Sequence, residues 1–275
     1  MKRIITIQDV SCVGKCSLTV ALPIISAAGV EAGVLPTAVL STHTQFSKFT
    51  FCDLTDEIAK ISDTFLELGI DFDAVYTGYL GSFEQLALVG DFFDRFGDRA
   101  LKVVDPVMAD NGVLYKGFTT EFAHAMADLC KKTDLIIPNL TEASFMLDIP
   151  YNPNYDEEYI RRVLKMLTDL GSPSAAISGV CLEDGKIGVY YYNSKSDSYF
   201  YYANERLPVQ FHGTGDIFAS ATVGAIMRGK TETEALAVAV DFTLECMKKT
   251  LADPDHRPYG VNFEEALPYY IDLLK

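Results

Sequence analysis

Short apolar runs rich in β-branched residues alternate with helical segments along almost the whole chain. Ile4 to Ile7, Val34 to Leu40 and Ala74 to Thr77 are three of these runs, and each is followed by a segment with helical periodicity. Parallel strands need a crossover connection, which is usually a helix. The alternation therefore predicts an α/β fold with a mainly parallel central sheet covered on both faces. No repeat or long linker divides the chain, so we expect a single domain over residues 1–275.

Five local predictions follow from turn, cap and hairpin signals, and they can be compared directly with a structure. They are a loop from Gln8 to Gly14, a helix from Lys15 to Ala28, an N-cap at Thr55, a helix that starts at Pro138-Asn139, and a tyrosine-rich hairpin formed by Lys186 to Tyr192 and Ser198 to Ala203. Aromatic residues in such strands favour packing over a stacking platform for a nucleotide.

Composition excludes some classes of partner. The chain has 275 residues and a formal net charge of −15, which argues against nucleic acid and anionic membranes as general partners. No apolar run is long enough to span a membrane, and the N-terminus lacks the pattern of a signal peptide. The six cysteines form no CxxC or Cys/His cluster and lie mostly in apolar runs, which favours reduced core thiols. We therefore expect a cytoplasmic protein.

Polar residues follow the predicted strands repeatedly. They are Gln8-Asp9, His43-Thr44, Gly78-Tyr79, Asp105, Asn139 and Ser178. Ligands of open α/β sheets bind outside the carboxyl ends of the strands. We expect these side chains to converge on one edge of the sheet and to form one site there.

The segment from Phe211 to Ser220 contains the strongest local signal for chemistry. Gly213 and Gly215 permit a tight turn, and an apolar helix follows directly. The N-terminus of that helix offers unpaired N–H groups to an anion. Asp216 places a carboxylate in the same turn, which suits a site that deprotonates an acceptor beside a phosphate.

A second segment resembles the end of a P-loop but departs from its pattern. Val13 to Ser17 follows a strand, yet Asp9 stands where the first glycine of the motif belongs and Cys16 replaces the metal-binding hydroxyl. Lys15 is therefore predicted to be an ordinary residue of the first helical turn.

Two further segments offer oxygen ligands. Asn139 and Glu142 are three residues apart on one helical face, and such groups suit Mg²⁺ near nucleotide phosphates. Taken locally, the same pair is more typical of a capping box at the start of a helix. Asp105 and Asp110 follow a strand and form either part of such a site or a solvated turn. Local pattern alone leaves both alternatives open.

Taken together, these motifs resemble the ribokinase-like superfamily, and within it the pyridoxal/pyridoxamine kinase family. The resemblance extends from about residue 4 to 250 and implies a three-layer α/β/α fold. It is carried by Gly213 to Asp216, Pro138-Asn139-x-x-Glu142, Asp105 to Met108, Gln8, Ser41-x-His43-Thr44-Gln45 and Gly78 to Ser82 followed by Glu84-Gln85. These motifs occur in order along the chain at compatible spacing.

The resemblance implies ATP-dependent phosphorylation of the hydroxymethyl group of a B6 vitamer. Asp216 would be the general base, and the N–H groups of Gly213, Thr214 and Gly215 would bind the transferring phosphoryl group. The remaining implied roles are a substrate pocket lined by Asp9, His43, Thr44 and Tyr79, ATP contacts from Asp105, Ser178 and Thr214, and Mg²⁺ bound by Asn139, Glu142 and Asp105. Relatives suggest a homodimer, and a requirement for a monovalent cation is left open.

Asp9 departs from the family pattern, in which a serine is common at this position. We hypothesise that its carboxylate pairs with a cationic group of the substrate, either the protonated ring nitrogen or the amine of pyridoxamine.

Three alternatives are kept. A hydroxymethylpyrimidine kinase of the same superfamily acts on a similar heterocycle, although such enzymes often carry a cysteine where Asp216 stands and a Gly-rich loop after the first strand. A sugar kinase is disfavoured because an insertion after the first strand is absent. A non-catalytic B6-binding regulatory protein would not need Asp216 as a proton acceptor.

Overall fold

The computed structural model describes residues 1–97 and 99–275, and it confirms the predicted alternation of strands and helices. The strands are β1 (Arg3–Val13), β2 (Glu31–Thr42), β3 (Phe51–Asp53), β4 (Ala74–Thr77), β5 (Leu101–Val104), β6 (Ala109–Asp110), β7 (Val113–Leu114), β8 (Leu135–Ile136), β9 (Ser174–Val180), β10 (Lys186–Asn193) and β11 (Ser198–Glu205). The helices are α1 (Leu18–Ala27), α2 (Thr55–Glu67), α3 (Phe83–Phe96), α4 (Thr120–Cys130), α5 (Leu140–Met146), α6 (Glu157–Asp169), α7 (Thr214–Met227), α8 (Glu232–Ala252) and α9 (Leu267–Leu273), with a 3₁₀ turn at Phe263–Ala266 before α9.

In the described residues the main sheet has nine strands in the order β11-β10-β9-β8-β5-β4-β1-β2-β3. The pairs between β9 and β2 are all parallel, whereas β3 and the β10–β11 hairpin add antiparallel edges. This arrangement brings the carboxyl ends of β1, β4, β5, β8 and β9 to one edge of the sheet, as the alternation of elements predicted.

Two hydrophobic cores lie on opposite faces of the sheet. Ile5 and Val75 belong to the core covered by α2 to α6, and Ile4 and Tyr76 belong to the core covered by α1, α7, α8 and α9. Successive residues of a strand point to opposite faces, so strands buried on both sides read as continuous apolar runs. The three-layer α/β/α prediction is therefore confirmed.

The first strand is longer than predicted. The segment from Gln8 to Gly14 was expected to be a loop, but β1 continues to Val13 and pairs with β2 as far as Thr42. The register shifts in this region, so that Thr37 and Ala38 of β2 lie opposite the single residue Asp9. The loop prediction was wrong because backbone pairing with β2, a strand distant in sequence, holds this polar segment in an extended conformation. Bulges of this kind often re-aim a side chain beside an active site.

The turn between β1 and α1 also differs from the prediction. Helix α1 begins at Leu18, and Gly14 and Ser17 both have positive φ angles, of 129° and 50°. Lys15 therefore lies in a turn and not in a helix. Its ammonium group contacts Glu264 Oε2 at 2.9 Å and Asn262 Oδ1 at 3.1 Å. These tertiary partners are more than 240 residues away and could not be predicted from local pattern.

The predicted caps have mixed outcomes. The capping box of Asn139 and Glu142 is present at the start of α5. Thr55 was expected to be the N-cap of α2, but the cap position is Leu54 and Thr55 is the first helical residue. The backbone N–H of Thr55 instead donates to Asp53 Oδ1 at 2.8 Å. The N–H of Thr55 is one of the orphan donors at the start of α2, and the carboxylate two residues earlier satisfies it.

Other predictions on the hairpin and the cysteines can also be compared with the structure. The tyrosine-rich hairpin is present as β10 and β11, and the tyrosines of β10 are buried, as expected for packing. The cysteines are all free, but Cys12 and Cys52 are exposed, so the expectation that they lie in the core is wrong for these two. Within residues 1–97 and 99–275, no helix combines the length and the apolar character needed to cross a membrane.

Helix α7 starts in direct contact with the β1–α1 turn. Gly213 precedes the helix with φ at 82°, in the left-handed region. A Cβ at this position would lie 2.0 Å from the carbonyl oxygen of Lys15. Gly215, two residues later, has only open space around an added Cβ. Only glycine at position 213 therefore allows the N-terminus of α7 to approach the turn after β1.

We expect Gly213→Ala to lower the free energy of unfolding by about 1–3 kcal/mol, because the added methyl group meets backbone atoms and the φ angle is unfavourable. Gly215→Ala is the matched control and should be neutral or slightly stabilising, since alanine favours a helix. Urea unfolding monitored by circular dichroism measures both. Equal stability of the two variants would contradict this account of the α7 start.

Candidate active site

The N-terminus of α7 forms the centre of the site. The backbone N–H groups of Thr214, Gly215 and Asp216 belong to the first turn of the helix, and none has a hydrogen-bond acceptor among the described residues. Gly215 is exposed to solvent. The first turn therefore presents free donors and the positive end of the helix dipole to an approaching anion.

Asp216 lies in this first turn with its side chain half-buried. Burial raises the pKa of its carboxyl group to about 7, against a hydrogen bond from the backbone N–H of Ser17 and together with repulsion from Asp9. A carboxylate that titrates near neutral pH is matched to proton transfer at that pH. Asp216 can therefore accept a proton beside a bound anion.

A pair of buried carboxylates follows the ends of β5 and β8. Asp105 and Glu142 are both buried, with 6% and 3% of their surface exposed. Burial raises the pKa of Asp105 well above its usual range, and repulsion from Glu142 and Asp216 adds to the effect. Burial likewise raises the pKa of Glu142 to about 8. A cation bound next to them would therefore stabilise the ionised forms of both groups.

Hydrogen bonds already hold Glu142 and Asn139 in place. Glu142 Oε1 accepts from the backbone N–H of Met108 at 3.1 Å, and Oε2 accepts from that of Asn139 at 2.9 Å. Asn139 Oδ1 accepts from the Glu142 N–H at 3.0 Å, and its amide donates to the Ala109 carbonyl at 2.8 Å. These bonds make the pair a rigid support at the sheet edge.

The donor set fits Mg²⁺ through water. Asp105 accepts no side-chain hydrogen bond from the described residues and offers hard oxygen atoms, which Mg²⁺ prefers. Nowhere in residues 1–97 and 99–275 do three or more His, Cys, Asp or Glu side chains form a metal-binding group. Mg²⁺ usually keeps several waters and binds one or two carboxylates together with substrate phosphates, so a full protein cage is not required.

The carboxylates form a connected acidic row at the sheet edge, which we define as Asp9, Asp216, Asp105 and Glu142. Asp9 repels Asp216, Asp216 repels Asp105, and Asp105 repels Glu142. None of the four takes part in an ion pair among the described residues. The convergence predicted from the strand ends is therefore present for these groups, and their charges lack a protein cation.

His43 and Tyr79 lie at the Asp9 end of the acidic row. His43 is buried, and the nearby Asp9 charge favours the protonated forms of the His43 imidazole and the Tyr79 phenol. The ring of His43 is held between two loops, because Nε2 lies 3.1 Å from the Tyr259 carbonyl and Nδ1 accepts from the Gln45 N–H at 3.3 Å. This bonding pattern fixes the neutral tautomer.

Thr44 and Ser178 were also predicted to line the site. Thr44 is exposed in a turn, and the structure gives it no contact with the acidic row. Ser178 is half-buried near the end of β9 and forms a parallel bridge with Asn139, its N–H donating to the Pro138 carbonyl at 3.0 Å. The structure thus brings Ser178 to the Asn139 side of the site, and the pocket role of Thr44 stays a prediction.

Three contributors to the site were missed by sequence reasoning. The Ser17 N–H supports Asp216, His212 lies against His43 with ring centroids 4.4 Å apart, and the Tyr115 phenol interacts with several of the carboxylates. His212 adjoins Gly213 in sequence, and Tyr115 lies ten residues after Asp105, which are weak signals. Ser17 gave no signal, because the group that supports Asp216 is its backbone N–H, which every non-proline residue has.

Comparisons with known proteins agree with this geometry. A family model described as phosphomethylpyrimidine kinase matches residues 22–258. The chain belongs to this family. The relatives place it with the pyridoxal kinases of the ribokinase-like superfamily, which confirms the resemblance stated above.

Three similar proteins illustrate the match. A "putative phosphomethylpyrimidine kinase" from Bacteroides thetaiotaomicron, crystallised with pyridoxal, is 40% identical, with 98% of this chain and 95% of that chain covered and a TM-score of 0.93. Pyridoxal kinase from Lactobacillus plantarum is 29% identical, with 99% and 98% covered and a TM-score of 0.92. A "putative pyridoxine kinase" from Staphylococcus epidermidis is 29% identical over 71% of each chain.

Asp216 should destabilise the fold at alkaline pH. Its folded pKa of about 7 is higher than the unfolded value of about 3.9, so the unfavourable contribution grows as pH rises from about 4 to 7 and is complete above that. We expect Asp216→Asn to be more stable than wild type by about 1–3 kcal/mol at pH 8, with a smaller difference at pH 5. Urea unfolding at both pH values measures this.

The matched control is Asp169→Asn, which changes an exposed aspartate at the C-terminal end of α6. Its stability difference from wild type should not depend on pH in this range. An Asp216→Asn variant no more stable than wild type at pH 8 would contradict the raised pKa.

Proposed function

We propose that the protein transfers the γ-phosphoryl group of ATP to the hydroxymethyl group of a B6 vitamer. The observation that carries this proposal is Asp216, a carboxylate with a pKa of about 7 in the first turn of a helix whose N–H groups are free. A proton acceptor beside an anion site is the arrangement that phosphoryl transfer to an alcohol requires. The names and bound pyridoxal of its relatives support the B6 vitamers as substrates.

In this proposal each part of the site has a distinct task. Asp216 accepts the proton of the substrate hydroxyl as its oxygen attacks the γ-phosphorus. The N–H groups of Gly213 to Asp216 bind the oxygens of the transferring phosphoryl group, where negative charge is concentrated. Asp9, His43, Thr44 and Tyr79 bind the substrate ring, and Asp105, Ser178 and Thr214 face the ATP phosphates. The fixed donors require little reorganisation during the reaction, which is why they favour the transition state.

The metal belongs to the same proposal. Asp105, Asn139 and Glu142 would hold Mg²⁺, partly through water. When bound, Mg²⁺ neutralises phosphate charge that the acidic row would otherwise repel. The contribution of the chain is to hold Glu142 and Asn139 rigidly and to leave the Asp105 carboxylate without a protein partner.

A hydroxymethylpyrimidine kinase is the second candidate. The description of the matching family and the name of the Bacteroides relative favour it, whereas the aspartate at position 216 favours a B6 vitamer. Release of ADP from ATP and Mg²⁺, measured with pyridoxal, pyridoxine, pyridoxamine and hydroxymethylpyrimidine, separates the two. Activity with the pyrimidine alone would overturn the B6 proposal. Release with none of the four would favour a non-catalytic binding protein.

We expect Asp216→Asn to lower kcat by about 10² or more, because the amide cannot accept the proton. In wild type, kcat/KM should rise with pH up to about 7, where Asp216 becomes ionised. Coupled ADP-release assays across pH 5–9 measure both effects, and Asp169→Asn serves as the control with unchanged activity. A variant at position 216 as active as wild type would rule out the base.

Asp105→Asn tests the metal proposal. Removal of the carboxylate should raise the Mg²⁺ concentration needed for half-maximal activity by about tenfold or more. Titration of MgCl₂ at fixed ATP measures this, and Asp169→Asn again provides the comparison. An unchanged Mg²⁺ dependence would show that Asp105 does not face the metal.

The homodimer and the cytoplasmic location stay predictions. The edge strand β3 is exposed. Its first residue, Phe51, is 54% accessible, and Phe49 just before the strand is 42% accessible. An exposed apolar edge strand is commonly covered by another chain, which supports the dimer proposal.

A further inference from the structure

Asp9 is a buried carboxylate for which the folded chain supplies no cation. It is only 5% exposed. Its Oδ2 accepts from the Ser11 hydroxyl at 3.2 Å, and the Ser17 hydroxyl adds a second bond. Neutral hydroxyl groups stabilise a carboxylate but leave its charge uncompensated.

The nearby base does not provide a positive charge. Burial lowers the pKa of the His43 imidazole, although the Asp9 charge opposes this effect. Nδ1 accepts from the Gln45 N–H and therefore carries no proton. Lys15 is only six residues from Asp9 in sequence, yet its ammonium group is bound to Glu264 and Asn262. No described residue therefore supplies Asp9 with a positive charge.

The position of Asp9 indicates that the missing cation belongs to the substrate. Asp9 lies on β1 at the bulge opposite Thr37 and Ala38, and β4 and β5 separate β1 from β8, the strand that precedes Glu142. Asp216, the proposed proton acceptor, is close enough to interact electrostatically with both Asp9 and Asp105. In the proposed function, a substrate whose hydroxyl group reaches Asp216 from the β1 side passes Asp9, whereas the metal and phosphates would be bound on the Asp105 side.

We propose that Asp9 is a specificity-determining residue that pairs with a cationic amine of the substrate, so that pyridoxamine is preferred to pyridoxal. This inference rests on the proposed function. The three vitamers share the pyridine ring and the reactive hydroxymethyl group, and they differ in one substituent, which is an ammonium group in pyridoxamine, an aldehyde in pyridoxal and a hydroxyl in pyridoxine. A buried carboxylate discriminates in favour of the charged substituent because a neutral one leaves it unpaired.

Burial supports the same conclusion. It raises the pKa of the Asp9 carboxyl group, and repulsion from nearby Asp216 disfavours two negative charges so close together. An ammonium group placed near Asp9 relieves both effects at once. Binding of pyridoxamine therefore stabilises the ionised forms of Asp9 and Asp216, and the latter is the form needed for proton transfer.

The test is a comparison of kcat/KM for the three vitamers in wild type, Asp9→Asn, Asp9→Ser and the surface control Asp169→Asn. Wild type should favour pyridoxamine over pyridoxal by at least about tenfold, and Asp9→Asn should reduce that ratio by at least about tenfold. Asp9→Asn keeps the size and a hydrogen-bond acceptor while removing the charge, so it separates charge from packing. Asp169→Asn should leave the ratio unchanged.

Other results would overturn the inference. Wild type without a preference for pyridoxamine overturns it directly and needs no variant, even if the Asp9 variants fail to fold. An equal loss for all three vitamers in Asp9→Asn and Asp9→Ser assigns the carboxylate to the shared ring nitrogen or to structure. Absence of activity with every vitamer in wild type overturns the proposed function and this inference together, whereas phosphorylation of vitamers without an amine preference overturns only the inference.

Discussion

Repulsion among the four carboxylates of the acidic row is the constraint on which the site depends. Carboxylates with no protein cation near them lose hydration on burial and disfavour one another's ionisation. The fold holds them at the sheet edge with backbone and hydroxyl donors. Ser17 serves Asp216, and Met108 and Asn139 serve Glu142. The large apolar cores on both faces of the sheet provide the stability that offsets this local strain.

The N-terminus of α7 and the acidic row beside it favour ions of opposite charge. The free N–H groups of the helix favour an anion, whereas the acidic row favours cations. A phosphate ester accompanied by Mg²⁺ would satisfy both, because the helix would bind phosphate oxygens and the carboxylates would hold the metal. The site is therefore complementary to a charged assembly and not to either component alone. This property explains how a chain with a net charge of −15 can bind a polyanionic nucleotide.

Much of the architecture could be predicted from local pattern. The apolar runs fixed the positions of the buried strands, and turn residues marked the helices that follow them. Asp216 was identified because glycines, a carboxylate and an apolar helix occur together within a few residues. The capping box of Asn139 and Glu142 could likewise be predicted, since its hydrogen bonds join residues three apart.

The wrong predictions have a common physical cause. Contacts between distant parts of the chain overrode the conformation that the local sequence pattern favours. The segment after Gln8 reads as a loop, but pairing with β2 extends it as a strand. Lys15 reads as a helical residue, but Gly213 packs against its carbonyl and Glu264 holds its ammonium group. No local window contains these partners.

The sequence by itself determined the order of strands and helices, the family and the aspartate proposed as the proton acceptor, because these depend on periodicity and on short motifs. Only the tertiary structure decided which charges are left unpaired. Asp216 acquires a pKa of about 7 through burial and the approach of Asp9, whose position in the chain is more than 200 residues away, although the Ser17 N–H opposes the rise. Burial and through-space repulsion depend on three-dimensional proximity. For that reason the glycine-flanked aspartate could be found in the sequence, whereas the acidic row around it could not.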